Sequence, residues 1–204
     1  IHDRDEKQAY GLPTAGIDRI ERRRRVMTTD APVYIIDGTA YIHRAFHAIR
    51  GLRNSRGLPT NAVFGFTRML LKLMAERSPQ YLSIAFDAKG PTFRHDAYEA
   101  YKANRPPMPE DMQEQIPWIM EVVEAFRIPI FSTQGYEADD LIGTLARQAA
   151  EQGFEVVMVT GDKDFMQLLQ PGCSIWDPMK DRTITADTVR EEFELTPPQL
   201  IDVM

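Results

Sequence analysis

The feature that most constrains this chain is a set of short β-rich runs that alternate with amphipathic helical patterns. Three of the runs end in aspartate: "VYIID" at Asp37, "YLSIAFD" at Asp87 and "EVVMVTGD" at Asp162. A fourth run, "IPIF", lies between the second and third of these. Strands that alternate with helices form parallel sheets through right-handed crossovers. The sequence therefore predicts an α/β fold with a mostly parallel central sheet.

The helical patterns carry clear start and stop signals. Thr60 or Asn61 is the expected N-cap of "NAVFGFTRMLLKLMAER", and Gly153 ends "EADDLIGTLARQAAEQG". Pro117 predicts a kink or an early break in "EDMQEQIPWIMEVVEAF". Near the C-terminus, "CSIWD" and "RTIT" are candidate strands on either side of the turn "PMKD".

Acidic residues collect where these elements should meet. The carboxyl ends of parallel strands lie along one edge of a sheet, and the "EADD" helix starts at that same edge. Five of the acids, Asp37, Asp87, Glu137, Asp140 and Asp162, are expected to face a single cavity. The whole convergent set comprises Asp37, Asp87, Glu137, Asp139, Asp140, Asp162 and Asp164.

Two explanations compete for this acidic cluster. Any one strand-end aspartate can be a loop cap, and a helix N-terminus favours an acid by roughly 0.3–1 kcal/mol. That contribution cannot offset the mutual repulsion of seven carboxylates. Hard divalent cations such as Mg²⁺ or Mn²⁺ can, because they prefer oxygen ligands. Two such ions about 4 Å apart serve phosphodiester hydrolysis.

The charges of the chain are unevenly distributed. Residues 31–109 carry 11 Lys and Arg against 5 Asp and Glu, whereas residues 110–204 carry 6 against 19. Within "FRHDAYEAYKANRPP", Arg94, Lys102 and Arg105 are interleaved with aromatic residues that include Tyr101. Cations that neutralise phosphates and aromatic rings that stack on bases are typical of single-stranded nucleic-acid binding. The alternative is an ordinary solvated amphipathic helix.

Other functional classes lack support in the sequence. No apolar run approaches the roughly 18 residues that cross a bilayer, and the start has no signal-peptide pattern, so a cytoplasmic protein without membrane contact is expected. The single cysteine, Cys173, excludes an internal disulfide. No Walker loop, serine nucleophile motif or zinc-type histidine spacing is present, which leaves metal-assisted hydrolysis. Residues 1–30, which contain "RIERRRRV", are expected to be disordered or loosely attached.

Five stretches together resemble a known family. They are "IIDGTAYIHRAFHA", "GLPTNAVFGFTRML", "AFDAKGPTFRHDAYEAYKANRPPMPEDM", "GYEADDLIGTLA" and "VTGDKDFMQLL". In this order they resemble the N-terminal 5′-to-3′ exonuclease domain of bacterial DNA polymerase I, within the flap endonuclease family. The resemblance implies a three-layer PIN-like α/β fold with a helical arch over residues 31–204. It also implies cleavage of 5′ flaps and 5′ ends near single-strand to duplex junctions in replication and repair.

The resemblance assigns roles to particular residues. Lys102 and Arg105 match the catalytic basic pair of the arch, and Arg44, Arg94 and Tyr101 join them as nucleic-acid contacts. The metal ligands are Asp37, Asp87, Glu137, Asp139, Asp140, Asp162 and Asp164. The implied cofactor is Mg²⁺, replaceable by Mn²⁺, as two ions in the complete domain. The implied substrates are DNA with a 5′ flap or 5′ end and RNA primer–DNA hybrids, with a polymerase domain in the full-length protein.

The family pattern should continue beyond "QLIDVM" into a duplex-gripping region with two further aspartates, so the domain is expected to be C-terminally incomplete. One alternative is therefore a catalytically weak or inactive nucleic-acid-binding fragment. A second alternative is a Mg²⁺-dependent phosphatase with a strand-end aspartate as nucleophile. The second does not require the basic, aromatic segment, and none of the aspartates lies in a "DxDx[TV]" motif.

Overall fold

A computed structural model describes residues 31–98 and 100–203 of the chain. The predicted disorder of residues 1–30 lies outside this part. The described residues form a six-stranded sheet, which confirms the predicted α/β class. Its strands in chain order are β1 (Val33–Asp37), β2 (Tyr81–Ala85), β3 (Ile130–Phe131), β4 (Val156–Val159), β5 (Cys173–Asp177) and β6 (Arg182–Ile184).

The sheet has the spatial order β3-β2-β1-β4-β5-β6. Strands β1 to β5 are parallel, and β6 returns antiparallel to β5 after a tight turn. The chain therefore moves outward from the central β1 first to one side and then to the other. Loops that follow neighbouring strands separate at such a reversal and leave a crevice at the carboxyl edge.

Helices connect the strands. They are α1 (Gly38–Ala48), α2 (Asn61–Arg77), α3 (Phe93–Ala97), α4 (Glu110–Gln113), α5 (Ile116–Ala125), α6 (Ala138–Glu151) and α7 (Ala186–Phe193). Two 3₁₀ segments span Lys163–Leu168 and Pro197–Asp202. None of the helices within residues 31–98 and 100–203 is long and apolar enough to cross a membrane.

Alternation of side chains along the buried strands produces two cores. On one face Ile36 and Ile84 pack with α1, α2 and α5 around Phe66 and Trp176. On the other face Ile35 and Met158 pack against α6 and the first 3₁₀ segment. Helices on both faces of one sheet give the three-layer arrangement that the sequence predicts.

Several boundaries differ from the sequence-based expectation. Strands β2 and β4 end before Asp87 and Asp162, so these two aspartates lie in the loops beyond the strands. Thr60 occupies the N-cap position of α2 without a side-chain capping bond. Asn61 instead donates to the carbonyls of residues 46 and 49, which closes the C-terminal end of α1. The predicted break near Pro117 is present, because α4 ends before α5 begins.

Candidate functional site

A cavity of about 660 Å³ opens at the carboxyl edge of the sheet. Carboxylates that follow β1, β2 and β4 or begin α6 line it together with cationic and aromatic side chains. The acids of this set are named the strand-edge acids below. They are Asp37, Asp87, Glu137, Asp139, Asp162 and Asp164. The cationic and aromatic side chains are His43, Arg44, Tyr101, Lys102, Arg105 and Lys163.

Asp37 is the buried member at the end of the central strand, with 3% of its surface exposed. One carboxylate oxygen accepts from the amide of Ala40 at 2.9 Å, as the N-cap of α1. The other accepts from the Thr160 hydroxyl at 3.0 Å. Both oxygens are thus oriented by the elements on either side of the strand end.

Asp87 connects the loop after β2 to the start of α6. Its carboxylate accepts from the amide of Ala138 at 2.7 Å, and its own amide donates to the Thr39 hydroxyl at 2.9 Å. An acid contributed by the second strand thereby satisfies a free N–H group in the first turn of α6. These contacts bring the loop after β2, α1 and α6 together at one edge of the cavity.

The start of α6 contains a reciprocal pair of caps. Glu137 is the N-cap residue, and its amide donates to the Asp140 carboxylate at 3.0 Å. Arg94 also donates to both oxygens of Asp140, at 2.7 Å each. This bidentate pair explains why Asp140 is not part of the cavity wall. Asp140 is thus not among the residues that line the cavity, and its expected part in the metal site stays a prediction.

A basic segment, residues 88–109, reaches the cavity from above the acids. Lys102 donates to Glu137 at 2.6 Å, and the Tyr101 hydroxyl donates to the same carboxylate at 3.0 Å. Lys102 has a φ of +56°, which is uncommon for a residue with a side chain. Such conformations persist where the surroundings hold them and are frequent at functional sites. Where the predicted helical arch is described, in residues 88–98 and 100–109, it contains one short helix, α3, followed by turns.

The crowding of the acids changes their pKa values. Burial, only partly offset by the Ala40 and Thr160 hydrogen bonds, raises the pKa of Asp37 to about 6. Removal from water and then repulsion from Asp37 and Asp162 raise the pKa of Asp139 to about 7, although this residue is exposed. Because exposure limits the first effect, repulsion between the carboxylates is the better explanation for Asp139.

The basic segment has the opposite effect on its partners. The hydrogen bonds from Arg94 hold the pKa of Asp140 below its ordinary value. Burial alone would raise the pKa of Glu137, but the hydrogen bonds from Lys102 and Tyr101 outweigh burial and lower it. The raised pKa values of Asp37 and Asp139 make these two acids harder to ionise, whereas the lowered pKa values of Glu137 and Asp140 make those two easier to ionise.

The donor set fits a hard divalent cation, because the cavity gathers carboxylate oxygens that repel one another when ionised. Within residues 31–98 and 100–203, however, no three Asp, Glu, His or Cys side chains are grouped closely enough to hold one ion as they lie. Glu137 is engaged by Lys102, and Asp87 caps α6. The assignment of the predicted metal ligands stays a prediction.

Sequence reasoning missed two residues of this edge. Thr160 connects the ends of β1 and β4 through its bond to Asp37. Asp177 ends β5, is 3% exposed, and accepts from Arg44 at 3.0 Å. The signal for Asp177 was present, because "CSIWD" is one more predicted strand that ends in aspartate. Arg44 lies in the cavity wall, where the phosphate-contact hypothesis requires it.

Comparison with known proteins gives matches over most of the chain. Residues 32–194 match a family model described as "5'-3' exonuclease, N-terminal resolvase-like domain". DNA polymerase I of Bacillus caldotenax is 44% identical over 173 residues, which cover 83% of this chain and 20% of that protein. A 5'-3' exonuclease of Aquifex aeolicus is 39% identical over 172 residues, which cover 84% of this chain and 60% of that protein.

A solved structure shares the fold. The bacteriophage T5 D15 flap endonuclease, in a complex with DNA and metal ions, superposes with a TM-score of 0.64 at 19% identity. The match covers 83% of this chain and 64% of that chain. The chain thus spans about a fifth of the length of the polymerase relative and three fifths of the exonuclease relative.

Proposed function

Because this chain belongs to the family of 5'-3' exonuclease N-terminal resolvase-like domains, we propose that it is a divalent-metal-dependent, structure-specific 5′ nuclease. The observation that carries the proposal is one cavity lined both by the strand-edge acids and by the cations of Arg44, Lys102 and Arg105. Hydrolysis of a phosphodiester requires both, since its charge must be neutralised while a water molecule attacks.

The strand-edge acids are the proposed ligands of the metal, which we take to be Mg²⁺ with Mn²⁺ as a substitute. A divalent cation in such a site lowers the pKa of a bound water and offsets charge on the phosphate. Asp140, the seventh expected ligand, stays in the proposed ligand set and has a further proposed role in the metal-free protein. It orients Glu137 as part of the α6 cap and anchors the basic segment through Arg94.

Lys102 and Arg105 are the proposed catalytic cations, because both lie in the cavity wall opposite the sheet edge. Lys102 is now paired with Glu137, so substrate binding would exchange a carboxylate partner for a phosphate partner. Arg44 contacts a second phosphate from α1, and Tyr101 offers a ring face to a base. Arg94, the remaining proposed nucleic-acid contact, is paired with Asp140 in the DNA-free protein and anchors the segment there.

The proposed substrates are DNA with a 5′ flap or free 5′ end near a single-strand to duplex junction, and RNA primer–DNA hybrids. Three observations support the DNA substrates: the family description, the DNA polymerase I relative and the DNA complex of the T5 flap endonuclease. Since the relatives are longer, a polymerase domain in the full-length protein and a role in replication and repair belong to the same proposal.

The test is a duplex with a labelled 5′ flap, incubated with purified protein in Mg²⁺, in Mn²⁺ and in EDTA. We expect cleavage at the junction in either metal and none in EDTA. The matched control is Asp162→Asn, which removes one strand-edge charge with little change in shape. Binding without cleavage in both metals would identify a nucleic-acid-binding protein instead. Release of phosphate from small phosphomonoesters, with intact flap DNA, would identify a phosphatase.

A further inference from the structure

Three strand ends lie side by side beneath the cavity. The register aligns Ile36 of β1 with Val159 of β4, and Val159 with Trp176 of β5. The next residues of these strands are Asp37, Thr160 and Asp177, and each is at most 3% exposed. Thr160 bonds to Asp37, which leaves Asp177 as a second buried carboxylate on the far side of β4.

Arg44 reaches Asp177 from the opposite side of this row. It lies on α1, which follows β1, so its side chain passes over the end of β4 to reach β5. Its Nη1 donates to Oδ1 of Asp177 at 3.0 Å, and the same oxygen accepts from the Met179 amide at 3.0 Å. The side chain of Asp177 is 4% exposed, whereas that of Arg44 is 27% exposed and lines the cavity. The pair thus has a buried anchor and an accessible cation.

The path of the arginine requires a glycine. A Cβ at position 161 would lie 1.7 Å from Nη2 and 2.0 Å from Nη1 of Arg44. The three heavy atoms nearest to that position all belong to the Arg44 guanidinium. The Arg44 guanidinium therefore packs directly against Gly161. An alanine there would displace the tip of one flexible side chain and leave the backbone unstrained.

We propose that Asp177 is a positioning residue that holds the Arg44 guanidinium over Gly161, where it binds a phosphate of the substrate strand. The planar guanidinium carries five N–H donors in a fixed fork, so one bond to Asp177 fixes its plane and leaves donors for phosphate oxygens. A long side chain that is held before binding loses less entropy when it binds. The phosphate part of this proposal rests on the proposed nuclease function, whereas the positioning part does not.

The competing explanation is that the Arg44–Asp177 pair only ties α1 to β5. The two explanations differ in what Gly161→Ala should do, because this change leaves both partners and the backbone intact and moves only the guanidinium. If the pair only links α1 to β5, Gly161→Ala should lower the free energy of unfolding and leave phosphate binding unchanged. A positioning role predicts a changed Arg44 signal and weaker phosphate binding in a protein that is still folded.

The first measurement is NMR of the arginine side-chain N–H groups in the DNA-free protein. The Arg44 signal, assigned with Arg44→Lys, should show a rigid side chain in the parent protein. It should become mobile in Asp177→Asn and shift in Gly161→Ala. The control is Asp187→Asn, which breaks the exposed Asp187–Arg190 pair and should leave the Arg44 signal unchanged. A mobile Arg44 in the parent protein would overturn the positioning role, whether or not DNA binds.

The second measurement is the affinity for a labelled 5′-flap duplex in Ca²⁺ over a range of salt concentrations. Loss of one phosphate contact should reduce the slope of log K against log salt by about 0.9. Arg44→Ala and Gly161→Ala should each show this reduction. Gly161→Ala placed on Arg44→Ala should add nothing, because both changes act on the same side chain.

The outcomes separate the two levels of the proposal. Additive losses in the double variant, or an unchanged slope in Gly161→Ala, would overturn the phosphate contact of Arg44. A parent protein that binds no flap DNA would overturn the nuclease proposal and the phosphate contact with it. The NMR measurement would then still decide whether Asp177 positions Arg44.

Discussion

The two walls of the cavity are built in different ways. The sheet wall stands on the row Asp37, Thr160 and Asp177, which lies beneath the cavity, is nearly inaccessible to solvent and is fixed by the register of three strands. In the basic segment, residues 88–109, Thr92 is the one buried residue among those described, with Glu99 left out. Hydrogen bonds and ion pairs to Glu137 and Asp140 hold this segment against the start of α6.

The two kinds of packing suit two different requirements of the proposed hydrolysis, precise metal ligands and room for the DNA strand. Ligand oxygens must lie within tenths of an ångström of their ideal positions, and the packed end of β1 gives Asp37 such precision. A phosphate-binding wall must admit a strand of DNA, and a segment with little core packing can move at low cost. In the DNA-free protein, Lys102 and Tyr101 of the basic segment bind the Glu137 carboxylate. Movement of the segment away from α6 would therefore also free Glu137.

The largest expected effect comes from the sheet wall. Asp37→Asn should reduce flap cleavage below detection, because the change removes the central buried carboxylate from the proposed ligand set. The measurement is single-turnover cleavage in Mg²⁺ and Mn²⁺, with circular dichroism to confirm the fold. The control is Asp181→Asn in the β5–β6 turn, away from the strand-edge acids. Cleavage by Asp37→Asn at the parent rate would remove Asp37 from the metal site.

A smaller effect is expected from the basic segment. Lys102→Ala should slow single-turnover cleavage by roughly a hundredfold, the loss that accompanies removal of one charge-stabilising group from an active site. Its unfolding temperature should change little, since the residue packs against no core. The matched control is Lys180→Ala, a lysine of the β5–β6 turn. A Lys102→Ala protein that cleaves normally but melts early would make the residue structural.

The third prediction concerns how the free energy of unfolding depends on pH, an effect expected from Asp37 and not from the basic segment. Burial raises the pKa of Asp37 from 3.8 to about 6, which corresponds to ~3 kcal/mol between its two ionisation states. Since the folded state binds this proton more tightly than the unfolded state, the metal-free protein should lose stability as pH rises from about 4 to about 6.

Urea denaturation in EDTA measures this effect. The parent protein and Asp37→Asn should have similar unfolding free energies near pH 4, and the variant should be the more stable at pH 7. Substitutions in the basic segment should not reproduce this pH dependence. Equal stability of the two proteins at pH 7 would show that the Asp37 anion is better solvated than its burial indicates.

Much of the sheet wall could be predicted from the sequence because its rules are local. Alternating strand and helix patterns give the parallel sheet, and the strand-edge rule places Asp37, Asp87 and Asp162 together. The same rule would have found Asp177 had it been applied to every predicted strand. What it could not give is the partner of Asp177. Arg44 lies 133 positions away, and the pairing depends on how β1, β4 and β5 are ordered.

The basic segment could be predicted in composition but not in contacts. Its cations and aromatic residues are visible in "FRHDAYEAYKANRPP", and the cavity contains Tyr101, Lys102 and Arg105 as expected. The bidentate bond of Arg94 to Asp140 was not foreseeable, since either residue had several possible partners of opposite charge. Without hydrophobic periodicity, the sequence of this segment does not indicate which side chains share a face. Its contacts can therefore be known only from the tertiary structure.

The smallest expected effect concerns the anchor between the walls. Arg94→Ala removes two hydrogen bonds of 2.7 Å to Asp140, at a site where the two side chains are 32% and 20% exposed. Partial exposure limits the cost to about 1 kcal/mol in the free energy of unfolding. The loss of stability should be larger within the basic segment itself, because this segment loses its bond to the α6 cap. Hydrogen exchange in α3 and the turns after it should accelerate, while exchange in β1 and β4 stays the same. The matched control is Arg147→Ala, which breaks the exposed Arg147–Glu151 pair on α6 and should leave exchange in α3 unchanged. Unchanged exchange in Arg94→Ala would show that the remaining contacts hold the segment without the Arg94–Asp140 pair.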